Sequence, residues 1–250
     1  MRSAGAGRRA VIGAVWLAAA SGAYRPASAV AHGLAVLGTS RPEAAAAELG
    51  AIFGPHTAFS ASARVTEKDQ INAVVRVKEM SYAFLDGKLR IETDAAKDSE
   101  LSPDAVRDKQ ARGTDRTVRI SEAGKQTALI LYPALNAYRE VSQPRRAAPP
   151  PIIDKVKVGE ETVDGHPCVK QQIAITDDAR RVDVFTWEAT DLQAFPVRVV
   201  IVHGDTTYTI KFLSLKLARP AETLFEPPPH ARKYDTLDQL IEGGGDRRRD

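Results

Sequence analysis

The sequence predicts a mainly β (α+β) protein, an antiparallel sheet or barrel of about 10–11 strands with two or three short helices. Three observations lead there. Apolar residues recur at every second position through most of the chain after residue 57. Turn pairs such as Asp86-Gly87 and Asp164-Gly165 punctuate those runs. Helix grammar is confined to a few short stretches. The chain has 250 residues, enough for one large β domain or two small ones with a substantial core.

Residues 1–31 read as a secretory signal peptide. Arg2, Arg8 and Arg9 make a basic start, "AVIGAVWLAAASGAY" is apolar, and small residues follow. Ala27-Ser28-Ala29 offers a cleavage site before Val30, and Ala29-Val30-Ala31 a second before His32. The apolar run falls short of the roughly 20 residues of a comfortable membrane span. An uncleaved N-terminal anchor is the alternative. No cysteine stands near the cleavage region to carry a lipid. The expected destination is the periplasm.

Residues 32–56 hold a helical segment. In "RPEAAAAELGAIFG", residues 41–54, alanine and glutamate favour helix, Pro42 suits its first turn and Gly54-Pro55 ends it. Leu49, Ile52 and Phe53 form its apolar stripe. Then the period becomes two. Phe59, Ala61, Ala63 and Val65 alternate with Ser60, Ser62 and Arg64. Ile71, Ala73, Val75 and Val77 alternate with Asn72 and Arg76. Past Glu79 the apolar positions move to Met80, Tyr82 and Phe84, and such a change of phase predicts a bulge or bend. Asp86-Gly87 turns the chain back through Leu89 and Ile91.

"SPDAVRDKQARG", residues 102–113, is a second helix: Ser102 caps it, Pro103 opens it and Gly113 follows its last turn. Strands resume at 116–121, 127–132 and 137–141. The proline-rich "SQPRRAAPPPI", residues 142–152, cannot lie in a sheet interior. It is a domain linker or a long surface loop. The loop is preferred, because strands of one style continue on both sides. Strands at 156–163, 169–175, 181–188, 196–203 and 206–217 complete a meander. The β domain is placed at 57–234, and a short helix near 237–241 with a disordered tail at 235–250.

Charge and motifs narrow the chemistry. Cleavage after Ala31 removes four arginines (Arg2, Arg8, Arg9 and Arg25) and no acid, taking the formal charge from +3 to −1. The basic pI thus belongs largely to the signal, and the case for nucleic acid or an anionic membrane surface weakens. The single cysteine, Cys168, cannot form an internal disulfide or a Cys-rich zinc site. His32, His56, His166, His203 and His230 are scattered, with no HExxH, G-x-S-x-G, phosphate loop or dinucleotide fingerprint. His166 and Cys168 could share a strand face as a thiol and its base. The structural reading is preferred: Asp164 to Pro167 is a turn, and Cys168 is the first buried residue of the next strand. No catalytic residue, cofactor or metal is expected.

What remains is apolar surface. Leu129-Ile130-Leu131-Tyr132 and Val199-Val200-Ile201-Val202 are apolar on both faces, where a one-sided sheet needs a polar face. Met80, Tyr82, Phe84, Phe185, Trp187, Tyr208 and Phe212 are candidates to line an apolar ligand cavity. The equal alternative is that they simply fill the core.

"GEETVDGHPCVK", "FTWEATDLQAFPVRV" and "LFEPPPHARKY", with "LYPALNAYRE" between strands, resemble segments of exported DUF4412 and lipoprotein-carrier-like (LolA/LolB-like) proteins. The resemblance covers about residues 57–234 and rests on turns and strand ends. It implies a curved, incomplete antiparallel β-barrel with short helices over its open side and an apolar cavity for acyl chains or a peptide segment. It implies no catalytic residue. The alanine-rich first helix and the long proline-rich loop depart from that pattern, so lid and partner contacts do not transfer. The expected function is a periplasmic binding protein for a lipid or a lipoprotein's acyl chains, acting as a monomer. A module that binds or senses another envelope protein is the alternative, and a thiol-dependent hydrolase using Cys168 and His166 the least favoured.

Overall fold

The computed structural model describes residues 51–123, 125–142, 152–177 and 180–245. The expected signal peptide, most of the helix at 41–54, the segment at 143–151 and the end of the tail lie outside the described residues.

Two meanders meet in one sheet. The first comprises β1 (Ala58–Lys68), β2 (Val74–Leu85), β3 (Lys88–Asp98), β4 (Arg116–Glu122), β5 (Thr127–Tyr132) and β6 (Ala137–Ser142). The second comprises β7 (Ile152–Val163), β8 (His166–Asp177), β9 (Arg180–Ala189), β10 (Phe195–His203) and β11 (Thr206–Lys216). A two-residue β12 (Arg232–Lys233) follows. The strand order is β12-β6-β5-β4-β3-β2-β1-β11-β10-β9-β8-β7, so β1 and β11 join the halves and the chain passes from one flank to the other between β6 and β7. All ladders are antiparallel except β12 on β6. The sheet does not close, which makes it the curved, incomplete barrel expected. The twelfth strand is the one not anticipated, because two residues carry no period.

Asp-Gly turns set two hairpins. Asp86 and Gly87 have φ of 47° and 87°, and Asp164 and Gly165 have 53° and 89°. Two successive left-handed residues twist with the flanking strands, and Asp-Gly is the pair that tolerates this best. Helix α1 (Pro103–Arg112) joins β3 to β4. Ser102 Oγ accepts the Ala105 N–H at 3.2 Å, and Gly113 at φ 69° closes the C-terminus. No residue of α1 is buried, so its caps and not its packing hold it. Helix α2 (Leu237–Gly245) buries Leu240 against Tyr132, Leu135 and Ala137.

Alternation sorts the side chains onto two faces. The inner face carries the main core, from Ile173 and Ile175 on β8 through Val199, Ile210 and Val65 to Leu89 and Ile91 on β3. Ile52 and Phe53, in a helical stretch at 51–53, close over it and are fully buried. Smaller apolar patches lie on the outer face: one under Phe225 of a 3-10 turn (Glu222–Phe225), one around Trp187.

One expectation is corrected here. The alternation Ile71, Ala73, Val75, Val77 is not an inner face. Ile71 is 78% exposed at the β1–β2 tip, and Val74 and Val75 are also exposed. Arg76 and Lys78 point inward instead, in phase with Met80, Tyr82 and Phe84. The expected change of phase within β2 is absent; the ladder irregularity between Lys78 and Met80 instead has its extra residues on β3, between Thr93 and Asp98. Charges can take those inner positions because Asp98 on β3 pairs with both.

Candidate functional site

The inner face is densely aromatic. Phe53 lies 4.8 Å from Phe59 and 5.9 Å from Phe84 between ring centroids. Phe195 lies 5.0 Å from Phe59 and 5.4 Å from Phe212, and Tyr82 is 5.8 Å from Phe212. These are contact distances for tilted, edge-on and offset-stacked rings. The Tyr82 hydroxyl donates to Met80 Sδ at 3.1 Å, and burial pushes its phenol well above the ordinary range.

The seven candidate lining residues divide between the faces. Met80, Tyr82, Phe84, Tyr208 and Phe212 come together in the inner core. Phe185 and Trp187 do not join them. They alternate with Val184 and Thr186 and so face outward, where Lys170 Nζ lies 4.9 Å over the Trp187 ring and the Arg198 guanidinium 4.5 Å over it. The indole N–H donates to Glu161 Oε1. Trp187 therefore contacts two cations and is anchored by a carboxylate.

Cys168 is buried at the start of β8, next to Trp187 and Val197. Its thiol donates to the His166 carbonyl at 3.3 Å, not to the imidazole. Burial, then the nearby Asp191 and Glu161 charges, push the thiol above its ordinary value against the Val163 backbone contact. His166 Nδ1 is 2.8 Å from Asp191 Oδ2. The three residues have the composition of a thiol triad, but a raised, carbonyl-bound thiol is the reverse of an activated one. Pro167 fits because pairing of β8 with β9 begins only at Cys168, so no partner there needs its missing N–H.

Sequence reasoning missed a buried ion cluster. Arg76 Nε donates to Asp98 Oδ1 at 2.9 Å, Arg76 Nη1 meets Glu100 Oε2 at 2.7 Å, and Lys78 Nζ is 3.5 Å from Asp98 Oδ2. Burial opposes the Asp98 charge, but Arg76 and Lys78 outweigh it and hold the carboxyl below its usual value. Burial lowers Lys78, with Asp98 opposing. The available signal was phase: Arg76 and Lys78 fall on the same alternation as Met80, Tyr82 and Phe84.

Also missed was an apolar cavity of about 410 Å³ at the end of β4 and β5. Val118, Leu131, Tyr132 and Pro133 form one wall, and Leu224 with the prolines at 227–229 the other. Its walls are fastened. Arg90 Nη1 donates to the Leu224 carbonyl at 3.1 Å, Asn136 Nδ2 to the His230 carbonyl at 3.1 Å, and the Arg232 N–H to the Asn136 carbonyl at 3.0 Å. Among the described residues no three His, Cys, Asp or Glu side chains gather as a metal site requires, and no helix is long and apolar enough to cross a membrane.

No family model matches the chain, and no curated protein matches it. Among solved structures it is similar to PNGF-II, at 8% identity and TM-score 0.36 over 75% of this chain. It spans 33%, about a third, of that protein's length. It is also similar to an outer membrane lipoprotein-sorting protein domain from Vibrio parahaemolyticus (11% identity, TM-score 0.36, 72% of this chain and 94% of that one). The lipoprotein LppX of Mycobacterium tuberculosis is another such structure (11% identity, TM-score 0.35, 72% and 92%). None of these likenesses is close enough to define a family or to transfer an activity.

Proposed function

We propose that the protein is an exported, non-catalytic binding protein for an apolar ligand, a lipid or the acyl chains of a lipoprotein. The fastened cavity between β4–β5 and the proline segment carries this reading. Its volume of about 410 Å³ falls in the range of small-molecule pockets, and its walls are mainly apolar with a few fixed polar groups. Burial there contributes about 25 cal/mol per Å² of apolar surface, before the costs of association. The signal-like N-terminus supports export to the periplasm, where such ligands are presented. Met80, Tyr82, Phe84, Tyr208 and Phe212 would line a second, inner site within the buried core.

Native mass spectrometry of protein purified from the periplasm, before and after organic extraction, tests this. Lipid-mass adducts that vanish on extraction are expected, and Leu224→Trp, which fills the cavity, should reduce them. A clean apo mass with no uptake of phospholipid or acylated peptide overturns the reading. One feature favours the envelope-protein alternative. The edge of β7, unpaired among the described residues, carries Val156 and Val158, 55% and 46% exposed. A partner protein co-purifying in place of lipid would select it.

A further inference from the structure

The inner face of β4–β6 holds an arrangement that the core does not explain. Register places Ile91 on β3 opposite Arg119 on β4, Arg119 opposite Ile130 on β5, and Ile130 opposite Arg139 on β6. Directly opposed residues share a face. Two arginines therefore flank Ile130 on the side that carries Ile91 of the main core, their backbones about 10 Å apart at two strand spacings.

Among the described residues neither arginine has a counter-charge. Among the described residues no carboxylate forms an ion pair with Arg119 or Arg139, and the Arg139 Nε is buried with no hydrogen-bond partner. Asp238 and Glu242 of α2, which packs Leu240 beside Ile130, do not reach them either. Burial alone pulls the Arg119 guanidinium below its ordinary value. The contrast with other shielded arginines is sharp. Arg76 has Asp98 and Glu100, Arg90 has Glu92 and the Leu224 carbonyl, and Arg198 has the Trp187 ring. Arg119 and Arg139 are half-buried, and shielded charged groups are ordinarily paired or hydrogen-bonded.

We propose that Arg119 and Arg139 together bind an oxyanion, a carboxylate or phosphate group, seated over Ile130 on the inner face. Guanidinium groups present planar forks that match two oxygens at once, and two of them over an apolar floor suit a single anionic head. This site lies on the other side of the sheet from the Val118–Leu131 wall of the apolar cavity and stands or falls without it.

Isothermal titration of the full mature chain at low salt tests the assignment with three probes: inorganic phosphate, dodecyl phosphate below its micelle concentration, and dodecanol. One equivalent of a phosphate-bearing probe should bind. Affinity should fall at least tenfold in the Arg119→Gln/Arg139→Gln double variant, while any dodecanol binding stays unchanged. Comparable binding of inorganic and dodecyl phosphate identifies a site for a free anion. Binding of dodecyl phosphate alone identifies the head group of an amphiphile. The proposal is overturned if neither phosphate binds, if dodecanol matches dodecyl phosphate in the wild type, or if the folded double variant binds as the wild type does. The wild-type comparison needs no variant, so it decides even if the double variant does not fold. A failure here with lipid adducts still present leaves the apolar cavity intact.

Discussion

Asp98 holds two cations on the inner face, and its removal should be felt strongly. Asp98→Ala leaves Arg76 and Lys78 buried beside each other without their shared anion, although Glu100 still reaches Arg76. A loss of about 3–5 kcal/mol in urea melts is expected. The pH dependence has a defined sign. The carboxyl is held below its unfolded value of about 3.9, so its contribution is present above that pH and is lost as pH falls through the lower folded value. Asp98→Asn should flatten this part of the acid limb. The opposite outcome is expected of the orphaned arginines. Arg139→Met removes a buried, unpartnered Nε and should raise stability in the absence of ligand by about 1–3 kcal/mol. A melt showing a loss instead would mean that Arg139 is already satisfied. Both sites were partly legible. Arg76, Lys78, Arg119 and Arg139 are charged residues inside alternating apolar runs, but only the register shows which of them find a partner.

At the scale of elements, hairpins were the most legible features because their chemistry is local. Asp164-Gly165 needs two left-handed residues, whatever the rest of the chain does. Gly165→Ala should cost about 1 kcal/mol or more, since a Cβ is strained at φ 89° even with open space around it. Gly159→Ala, in β7 with ordinary φ and nothing near its Cβ, is the control and should be close to neutral. Equal effects in thermal melts would mean that the turn does not depend on its glycine. Capping residues made α1 readable in the same way. The exposed Ile71 and Val75 misled because alternation reports a period and not which phase faces the core. β12 left no trace, since it is placed by the Asn136 and Tyr138 carbonyls, which accept the Arg232 and Tyr234 N–H groups, and not by a pattern of its own.

At the scale of the molecule, topology was the least legible feature. Nothing local says that β11 returns to β1, or that the chain crosses from β6 to the far flank before β7; long-range pairing decides both. The cavity depends on the same contacts, since its walls come from β4, β5 and a segment some ninety residues later. An open sheet also leaves edges, and β7 is a twelve-residue one. Such an edge invites a second copy unless something blunts it. Here Val156 and Val158 alternate with Lys155 and Lys157, and a register irregularity falls between Lys157 and Gly159. Ile153 on the same alternation as the lysines packs against the inner core, so both lysines sit on the inner side of the edge. A strand added there would have to cover their charges. Lys155 also bonds to Glu188 and the Ala51 carbonyl, so Lys157, paired only with exposed Glu160, is the cleaner test. Lys157→Val should change folding stability by less than about 1 kcal/mol, as exposed ion pairs contribute little. It should nevertheless produce concentration-dependent association in sedimentation velocity, while the wild type is expected to stay monomeric. A monomeric variant at the same concentration would leave the irregular register as the edge's protection, and adding Gly159→Val would then be the change that allows strands to pair.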